Sequence, residues 1–176
     1  MNAIRTTTIA AGLAALLAFP SAALADATVK EAQSAVTAMK KADPSLKKFF
    51  DNSVGYAVFP SVGKGGLVVG GAGGSGIVFE HGKAVGTTTL SQVTVGAQVG
   101  GQAYYEIIFF ETAETFAAFK KGEWTMAAQV SAVMLKSGAS ADAAYKEGVA
   151  VFTLSKGGAM AEASVGGQKF TFKPMK

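Results

Sequence analysis

The sequence lacks cysteine altogether, and it has one histidine, one tryptophan and few charged residues, 16% of its 176 positions. Without cysteine the chain cannot form a disulfide scaffold, a thiolate metal site or a lipid-modified N-terminal cysteine. The single histidine, His81, precedes Gly82 and is expected in an exposed turn, and one histidine cannot build a two-histidine metal site. We therefore expect no bound metal, no other cofactor and a fold that packing alone stabilises.

A catalytic arrangement is also missing from the sequence. His81 has no positioned acid and nucleophile with which to form a triad. The acidic residues occur singly, and no spacing singles out a carboxylate pair: Glu80, Glu106, Glu111, Glu123, Asp142 and Glu162. We expect that the protein is not an enzyme.

No apolar run approaches the roughly 20 residues that a membrane-spanning helix needs. The run that follows Arg5 has about 11 residues, and alanines at positions 23 and 25 supply the small side chains of a cleavage site. This pattern is typical of a secretory signal peptide. We predict a signal peptide over residues 1–25, a single domain over residues 26–176, and an exported protein that is periplasmic or secreted.

The exported chain would be only mildly basic. Removing Arg5 lowers the Lys+Arg count from 16 to 15 against 12 acids, which gives a side-chain charge of +3. Nucleic-acid-binding domains usually concentrate positive charge more strongly. We therefore do not expect a nucleic-acid partner.

What the sequence has in abundance is glycine, 22 residues that lie mostly at 55–101 and 157–167. Apolar residues alternate with period two over the same stretches, which predicts strands, with a hairpin turn at Glu80–Lys83. Glycine at this density lets a sheet curve strongly. We predict an α+β fold with a strongly curved, even barrel-like, antiparallel sheet.

Three helices are predicted around this sheet. Residues 27–41 form an N-terminal amphipathic helix, and Ser45 is expected to cap a second one that ends near Asn52. A central helix is predicted from Thr112, its N-cap, to Lys121, with Gly122 in the C′ position.

Three local patterns give more specific expectations. Residues 71–76 fit the letters of a G-x-G-x-x-G loop, but a strand-forming Ile-Val-Phe follows instead of a helix, so we predict a tight connection between strands and no nucleotide site. Residues 124–134 alternate and are interpreted as one strand. A short helical turn is expected at 141–146.

The most distinctive charged feature is the basic cluster, which we define as four lysines that flank two phenylalanines: Lys40, Lys41, Lys47, Lys48, Phe49 and Phe50. One interpretation is a solvated face whose phenylalanines dock on the sheet. The other is a membrane contact, in which each lysine contributes about 1 kcal/mol near an anionic bilayer. Inserting one phenylalanine would add about 1.5–3 kcal/mol.

The glycine-rich segments resemble the SYLF-domain family over about residues 30 to 173. The residues that carry the resemblance are Gly55-Tyr56-Ala57-Val58-Phe59-Pro60, Lys64-Gly65-Gly66, Val69-Gly70-Gly71 with Gly73 and Gly76, residues 96–103, Phe109-Phe110, Phe119 with Gly122 and Trp124, residues 156–160, and Lys169-Phe170.

The resemblance implies a peripheral lipid-binding protein. Eukaryotic members of the family bind phosphoinositides, a fungal branch binds actin, and bacterial members are commonly exported. Lipid contact in the family is attributed largely to an N-terminal amphipathic helix and nearby basic residues, which correspond here to residues 27–50. The implied binding residues are the basic cluster together with Lys64. Anionic phospholipid in general is the expected partner, and an actin role transfers poorly to an exported chain.

Two other classes of protein remain open. An exported, glycine-rich chain of alternating strands is compatible with a small outer-membrane β-barrel, although the lysine-bearing N-terminal helices fit poorly in a barrel wall. An enzyme of unrecognised type would need an inward-facing cluster of acids, tyrosines or His81.

Overall fold

The computed structural model describes residues 26–66, 69–95, 102–157 and 165–176. The predicted signal peptide at 1–25 lies outside these residues, as do the glycine motif at 96–101 and the last three residues of the 156–160 motif.

Two helices precede the sheet, as the sequence predicts. Helix α1, Val29–Ala42, begins with a capping box in which Thr28 and Glu31 satisfy each other's backbone N–H groups. A 3₁₀ helix, Pro44–Leu46, then leads directly into α2, Lys47–Asn52. The expectation that Ser45 caps this unit is wrong. The Asp43 side chain is the cap and accepts from Ser45 N, and α2 has no side-chain cap because the 3₁₀ helix runs straight into it.

The strands form one curled half-barrel sheet, which confirms the predicted α+β class and strong curvature. Their order across the sheet is β5-β8-β3-β2-β1-β4-β7-β6, and all pairs are antiparallel except β6–β7. The strand bounds are β1 Gly55–Gly66, β2 Val69–Glu80, β3 Lys83–Val95, β4 Gln102–Phe110, β5 Glu123–Thr125, β6 Ala132–Met134, β7 Val149–Ser155 and β8 Lys169–Pro174. Helix α3, Ala113–Lys120, lies between β4 and β5.

Local turn chemistry follows the sequence closely. His81 and Gly82 join β2 to β3, and both have positive φ, 49° and 78°. Thr112 caps α3 by accepting from Thr115 N, and Gly122 adopts φ of 103° just beyond the helix. These predictions are confirmed, because each depends on a few neighbouring residues and on the tolerance of glycine for positive φ.

The interpretation of residues 124–134 as one strand is wrong. Its two ends belong to β5 and β6, which are the opposite edges of the sheet. Between them lies the edge link, which we define as residues 126–131, and it buries Met126 and Val130 in the core. Alternation gives no sign of this break, because both halves keep apolar residues at even positions.

The edge link also shows how strongly the sheet curls. Seven residue steps separate Thr125 from Ala132, and at ~3.4 Å per step they span at most about 24 Å. Eight strands laid flat at ~4.8 Å spacing would be about 34 Å across. The edge link can join β5 to β6 only because the sheet curls and brings its two edge strands closer together. The sheet curls toward the side on which the link lies.

Residues 71–76 do not form a strand connection as predicted, but run through the middle of β2. At Gly76 an added Cβ would lie 2.7 Å from Val58 O and 2.8 Å from the Phe59 ring. Glycine is required there because β1 and β2 approach closely. The helical turn expected at 141–146 is likewise absent; turns occupy 137–142 instead.

Apolar side chains cover both faces of the sheet. We call the face that packs against α3 and the edge link the inner face; it includes Phe59, Ile108 and Phe110. The outer face packs against α1 and α2 and includes Val58, Ile77 and Phe109. The alternation along β1 and β4 therefore divides the side chains between two separate cores.

Candidate functional site

The basic cluster lies where α1 ends and α2 begins. Lys40 and Lys41 occupy the last turn of α1, where the helix dipole favours positive charge, and both side chains are exposed. The amine of Lys40 lies 3.9 Å from the centroid of the Phe50 ring. This contact orients one lysine while leaving its charge in solvent.

The two lysines of α2 are in different environments. Lys47 is 72% exposed and pairs with Asp51 one turn later, at 2.5 Å. Lys48 is half-buried, and its amine donates to the carbonyl oxygens of Ala141 and Ala143 at 2.6 and 3.0 Å. Lys48 therefore connects α2 to the segment after β6, and its amine is less available to an outside partner than those of Lys40 and Lys41.

Both phenylalanines of the cluster dock on the sheet. Phe49 is only 2% exposed, and its ring contacts those of Phe109 and Phe152 at centroid distances of 5.5 and 4.7 Å. Phe50 is half-buried and packs edge-on against Tyr56 and Phe109. In this structure the phenylalanines therefore dock on the sheet, the first of the two interpretations. A bilayer would reach Phe49 only if α2 detached from the sheet.

Lys64 lies apart from the basic cluster. It occupies the far end of β1, paired in register with Ala72 and Gln102. Eight residue steps separate it along β1 from Tyr56, which contacts the cluster, and eight steps of an extended strand are at most about 26 Å long. The residues that the sequence groups together therefore form two separate positions on the fold.

Asp43 holds this region in place, and the sequence gives no direct sign of its partners. It is fully buried, and its carboxylate accepts from Ser45 N, Ser45 Oγ, Gly138 N and Ser140 N at 3.1, 2.5, 3.2 and 2.7 Å. Burial alone would raise its pKa, but hydrogen bonds from Ser45 and Ser140 outweigh burial and lower the pKa to about 2. The junction of the two helices is thereby tied to the turn at 137–142.

A second feature, which the sequence analysis missed, is an open groove of about 900 Å³ under the first half of α1. We call it the outer groove. Its floor is the outer face of β1 and β2 near Gly63 and Gly73, and Lys30 and Lys156 lie at its walls. The glycine pattern is the signal that could have indicated it, since glycines on one sheet face leave space above them.

The comparisons with known proteins agree with the resemblance. Residues 91–174 match the family model described as "Ysc84: Las17-binding protein actin regulator", which here runs from β3 to the end of β8. The chain is also 31% identical over 153 residues to Beta cell expansion factor A of Aeromonas veronii, itself a SYLF-family protein. This alignment covers 81% of the chain.

This chain belongs to the SYLF family. It spans 58% of the length of its Aeromonas relative, which is therefore a considerably longer protein. In the part of this SYLF chain that the structure describes, no helix is both long enough and apolar enough to cross a bilayer.

Among the residues that the structure describes, the acid buried on the inner face of the SYLF domain is Glu106. It is fully buried on β4, and its Oε2 accepts from Gln168 Nε2 at 3.1 Å. Burial raises its pKa to about 8. Within the described ranges no group of three or more His, Cys, Asp and Glu side chains could hold a metal ion.

Proposed function

We propose that this SYLF protein is an exported, non-catalytic protein that binds the surface of anionic phospholipid membranes. The observation that carries the proposal is the set of exposed lysines, Lys40, Lys41 and Lys47, which project from one helix junction. Of the acids nearby, Asp43 is buried and fully hydrogen-bonded, and Asp51 neutralises only Lys47. Membership in a family regarded as lipid-binding supports the same conclusion.

The magnitudes indicate a weak and reversible contact. Asp51 neutralises Lys47, so Lys40 and Lys41 at about 1 kcal/mol each supply about 2 kcal/mol of binding free energy. A millimolar dissociation constant needs about 4 kcal/mol, so binding by these charges alone is weaker than millimolar. Since Phe49 is buried and Phe50 half-buried, ring insertion adds little in this conformation. We therefore expect adsorption that depends strongly on salt and on the density of anionic headgroups, because screening acts fully on exposed charges.

We further propose that the protein prefers lipid headgroups that carry several negative charges. A phosphoinositide concentrates several phosphate charges within reach of adjacent lysines, so it should bind more tightly than a singly charged phospholipid at equal net membrane charge. The description of the family model names actin regulation. We do not propose this for the present chain, because an exported protein would not meet actin.

Co-sedimentation with vesicles tests the proposal. The protein should pellet with vesicles that contain phosphatidylglycerol at low salt, and much less with neutral phosphatidylcholine vesicles or at high salt. Lys40→Glu with Lys41→Glu should reduce the bound fraction several-fold. The matched control is Lys169→Glu with Lys173→Glu, the same charge change at exposed positions of β8.

Equal recovery of the protein in the supernatant with anionic and with neutral vesicles at low salt would refute binding to anionic membranes. An equal loss of binding in the cluster variant and the β8 variant would show that only net charge matters, and it would remove the basic cluster from the account.

A further inference from the structure

The hydrogen bond between Glu106 and Gln168 crosses the interior of the curled sheet. Glu106 lies on β4 and Gln168 directly precedes β8, and the three strands β3, β2 and β1 separate β8 from β4. Laid flat at ~4.8 Å spacing, these two strands would be about 19 Å apart. Gln168 Nε2 nevertheless lies 3.1 Å from Glu106 Oε2. The contact therefore joins the two halves of the sheet across its concave side.

Gln168 ends a short turn that we call the closing turn, residues 165–168. Its backbone is held by the edge link, because Met126 N donates to Gln168 O at 2.9 Å and Gly167 N donates to Met126 O at 3.0 Å. The side chain of Gln92 on β3 donates to Gly166 O at 3.1 Å. The Gln168 side chain is thus the part of the closing turn that reaches the opposite half of the sheet.

The surroundings of Glu106 contain more acceptors than donors. Glu106, Gln168 and Thr153 are all 0% exposed, and Thr153 on β7 lies directly opposite Glu106 in register. Among the described residues, Glu106 Oε1, Gln168 Oε1 and Thr153 Oγ1 have no hydrogen-bond partner. An ionised carboxylate can only accept, whereas a protonated carboxyl group donates one hydrogen bond. A proton on Glu106 therefore supplies a donor that this cluster lacks.

Few charged groups face this cluster. Neither ion pair within the described ranges involves Glu106. Tyr104, on the same face of β4, is neutral, because burial and then the nearby Glu106 raise the pKa of its hydroxyl. Lys64, the lysine of β1, pairs in register with Gln102, which is four residues or about 14 Å from Glu106 along β4. The closing turn, the edge link and β7 contain no titratable side chain. The other charged side chains of β2, β3, β5 and β8 reach solvent: Glu80, Lys83, Glu123, Lys169 and Lys173.

We propose that Glu106 and Gln168 form a proton-dependent latch, which holds the closing turn against the inner face while Glu106 is protonated and releases it when the proton is lost. In the closed state Glu106 Oε1–H donates to Gln168 Oε1 while Gln168 Nε2 donates to Glu106 Oε2, so the two side chains satisfy each other. Loss of the proton to water removes one of these bonds and leaves a buried negative charge, which is hydrated only when the closing turn moves away.

The direction of the pH dependence follows from the environment of Glu106. Burial raises the pKa of its carboxyl group to about 8, against a weaker lowering by the Gln168 hydrogen bond. The latch is therefore closed at pH 7 and below, and it opens in mildly alkaline solution. It concerns the inner face, so it does not depend on the proposed membrane binding.

Trp124 reports on the latch because it is the single tryptophan of the chain. It lies on β5, opposite Phe170 of β8, with 5.5 Å between the ring centroids, and it precedes Met126 by two residues. Opening should expose its ring. The test is acrylamide quenching of tryptophan fluorescence between pH 6 and pH 9. In the unsubstituted protein the quenching constant should rise at least twofold, with a midpoint near pH 8.

Three variants separate the latch from a general effect of alkaline pH. Glu106→Gln cannot ionise and keeps both a donor and an acceptor for Gln168, so quenching should stay low at pH 9. Gln168→Met removes the contact, so a folded variant should already be quenched strongly at pH 6. Gln33→Met is the matched control at an exposed position of α1, and it should behave like the unsubstituted protein.

Infrared spectroscopy observes the proton itself. At pH 7 the unsubstituted protein should show the C=O stretch of a protonated carboxyl group, and this band should be absent in Glu106→Gln. The proposal is overturned if this band is missing, if quenching of the unsubstituted protein does not change with pH, or if Glu106→Gln shows the same rise. A folded Gln168→Met that is quenched like the unsubstituted protein at both pH values would also overturn it. If that variant does not fold, Glu106→Gln alone decides.

Discussion

Two buried carboxyl groups on opposite faces of the sheet have opposite pKa shifts. Asp43, on the outer side, receives four hydrogen bonds and has a pKa of about 2. Glu106, on the inner face, receives one side-chain hydrogen bond and has a pKa of about 8. Both residues are 0% exposed, so burial by itself does not decide the charge state. The number of donors that the fold directs at each carboxyl group does.

The largest expected effect comes from removing the acceptor on the outer side. Asp43→Ala leaves the N–H groups of Ser45, Gly138 and Ser140 without their partner, at about 1–3 kcal/mol for each group that stays buried. We expect the free energy of unfolding at pH 7 to fall by about 3–4 kcal/mol, as measured by urea denaturation. A loss below about 1 kcal/mol would show that these groups find water and that the junction is not a rigid anchor.

Glu106→Gln should have the opposite sign at neutral pH. The folded pKa of about 8 lies above the unfolded value of about 4.3, so protonated Glu106 favours folding below pH 4.3. That contribution is lost at about 1.4 kcal/mol per pH unit as the pH rises toward 8. The variant, which keeps an acceptor for Gln168, should be about 3–4 kcal/mol more stable than the unsubstituted protein at pH 7. The two should be nearly equal at pH 4, where an undiminished difference would contradict the raised pKa.

Acid unfolding measures the shift at Asp43 directly. Its folded pKa of about 2 lies below the unfolded value of about 3.9, so its ionisation stabilises the fold above pH 3.9. About 2.5 kcal/mol should be lost as the pH falls from 5 to 1. In Asp43→Asn this component of the acid dependence should be absent, while other carboxylates keep theirs. Parallel curves for the two proteins would exclude Asp43 as the source.

The smallest change in the free energy of unfolding is expected at the open end of the outer face, at Gly63. Gly63→Ala adds a methyl group where the nearest atom is 4.0 Å away, and it reduces the flexibility of the unfolded chain. The free energy of unfolding should stay the same or rise by up to about 1 kcal/mol. At Gly76, where a Cβ would lie 2.7 Å from Val58 O, the same substitution should be clearly destabilising. Similar values at the two positions would contradict the difference in space.

Features that depend on residues close together in the sequence were predictable, and features that depend on distant residues were not. The Thr112 cap, the turn at His81-Gly82 and the helix over 29–42 depend on neighbouring residues, and they were predictable. Two of the partners of Asp43, Gly138 and Ser140, lie about 95 residues away along the chain, and no local pattern encodes that pairing.

The candidate sites follow the same rule. The lysines of the basic cluster could be found as a run in the sequence. The burial of Phe49 depends on Phe109 and Phe152, which come from distant strands. The outer groove could not be found either, because it depends on glycines of two strands being covered by the start of α1.

The edge link keeps the sheet curved, so contact with a flat surface such as a bilayer does not readily flatten it. One continuous stretch of backbone, residues 126–131, tethers both margins, so flattening the curved body against a bilayer would require tearing Met126 and Val130 out of the interior. An adsorbed molecule should therefore touch a membrane as a rigid, convex object over a small footprint. A single proteolytic cut within this tether would remove the covalent link between the two margins, while β8 and β7 would still hold them in the sheet.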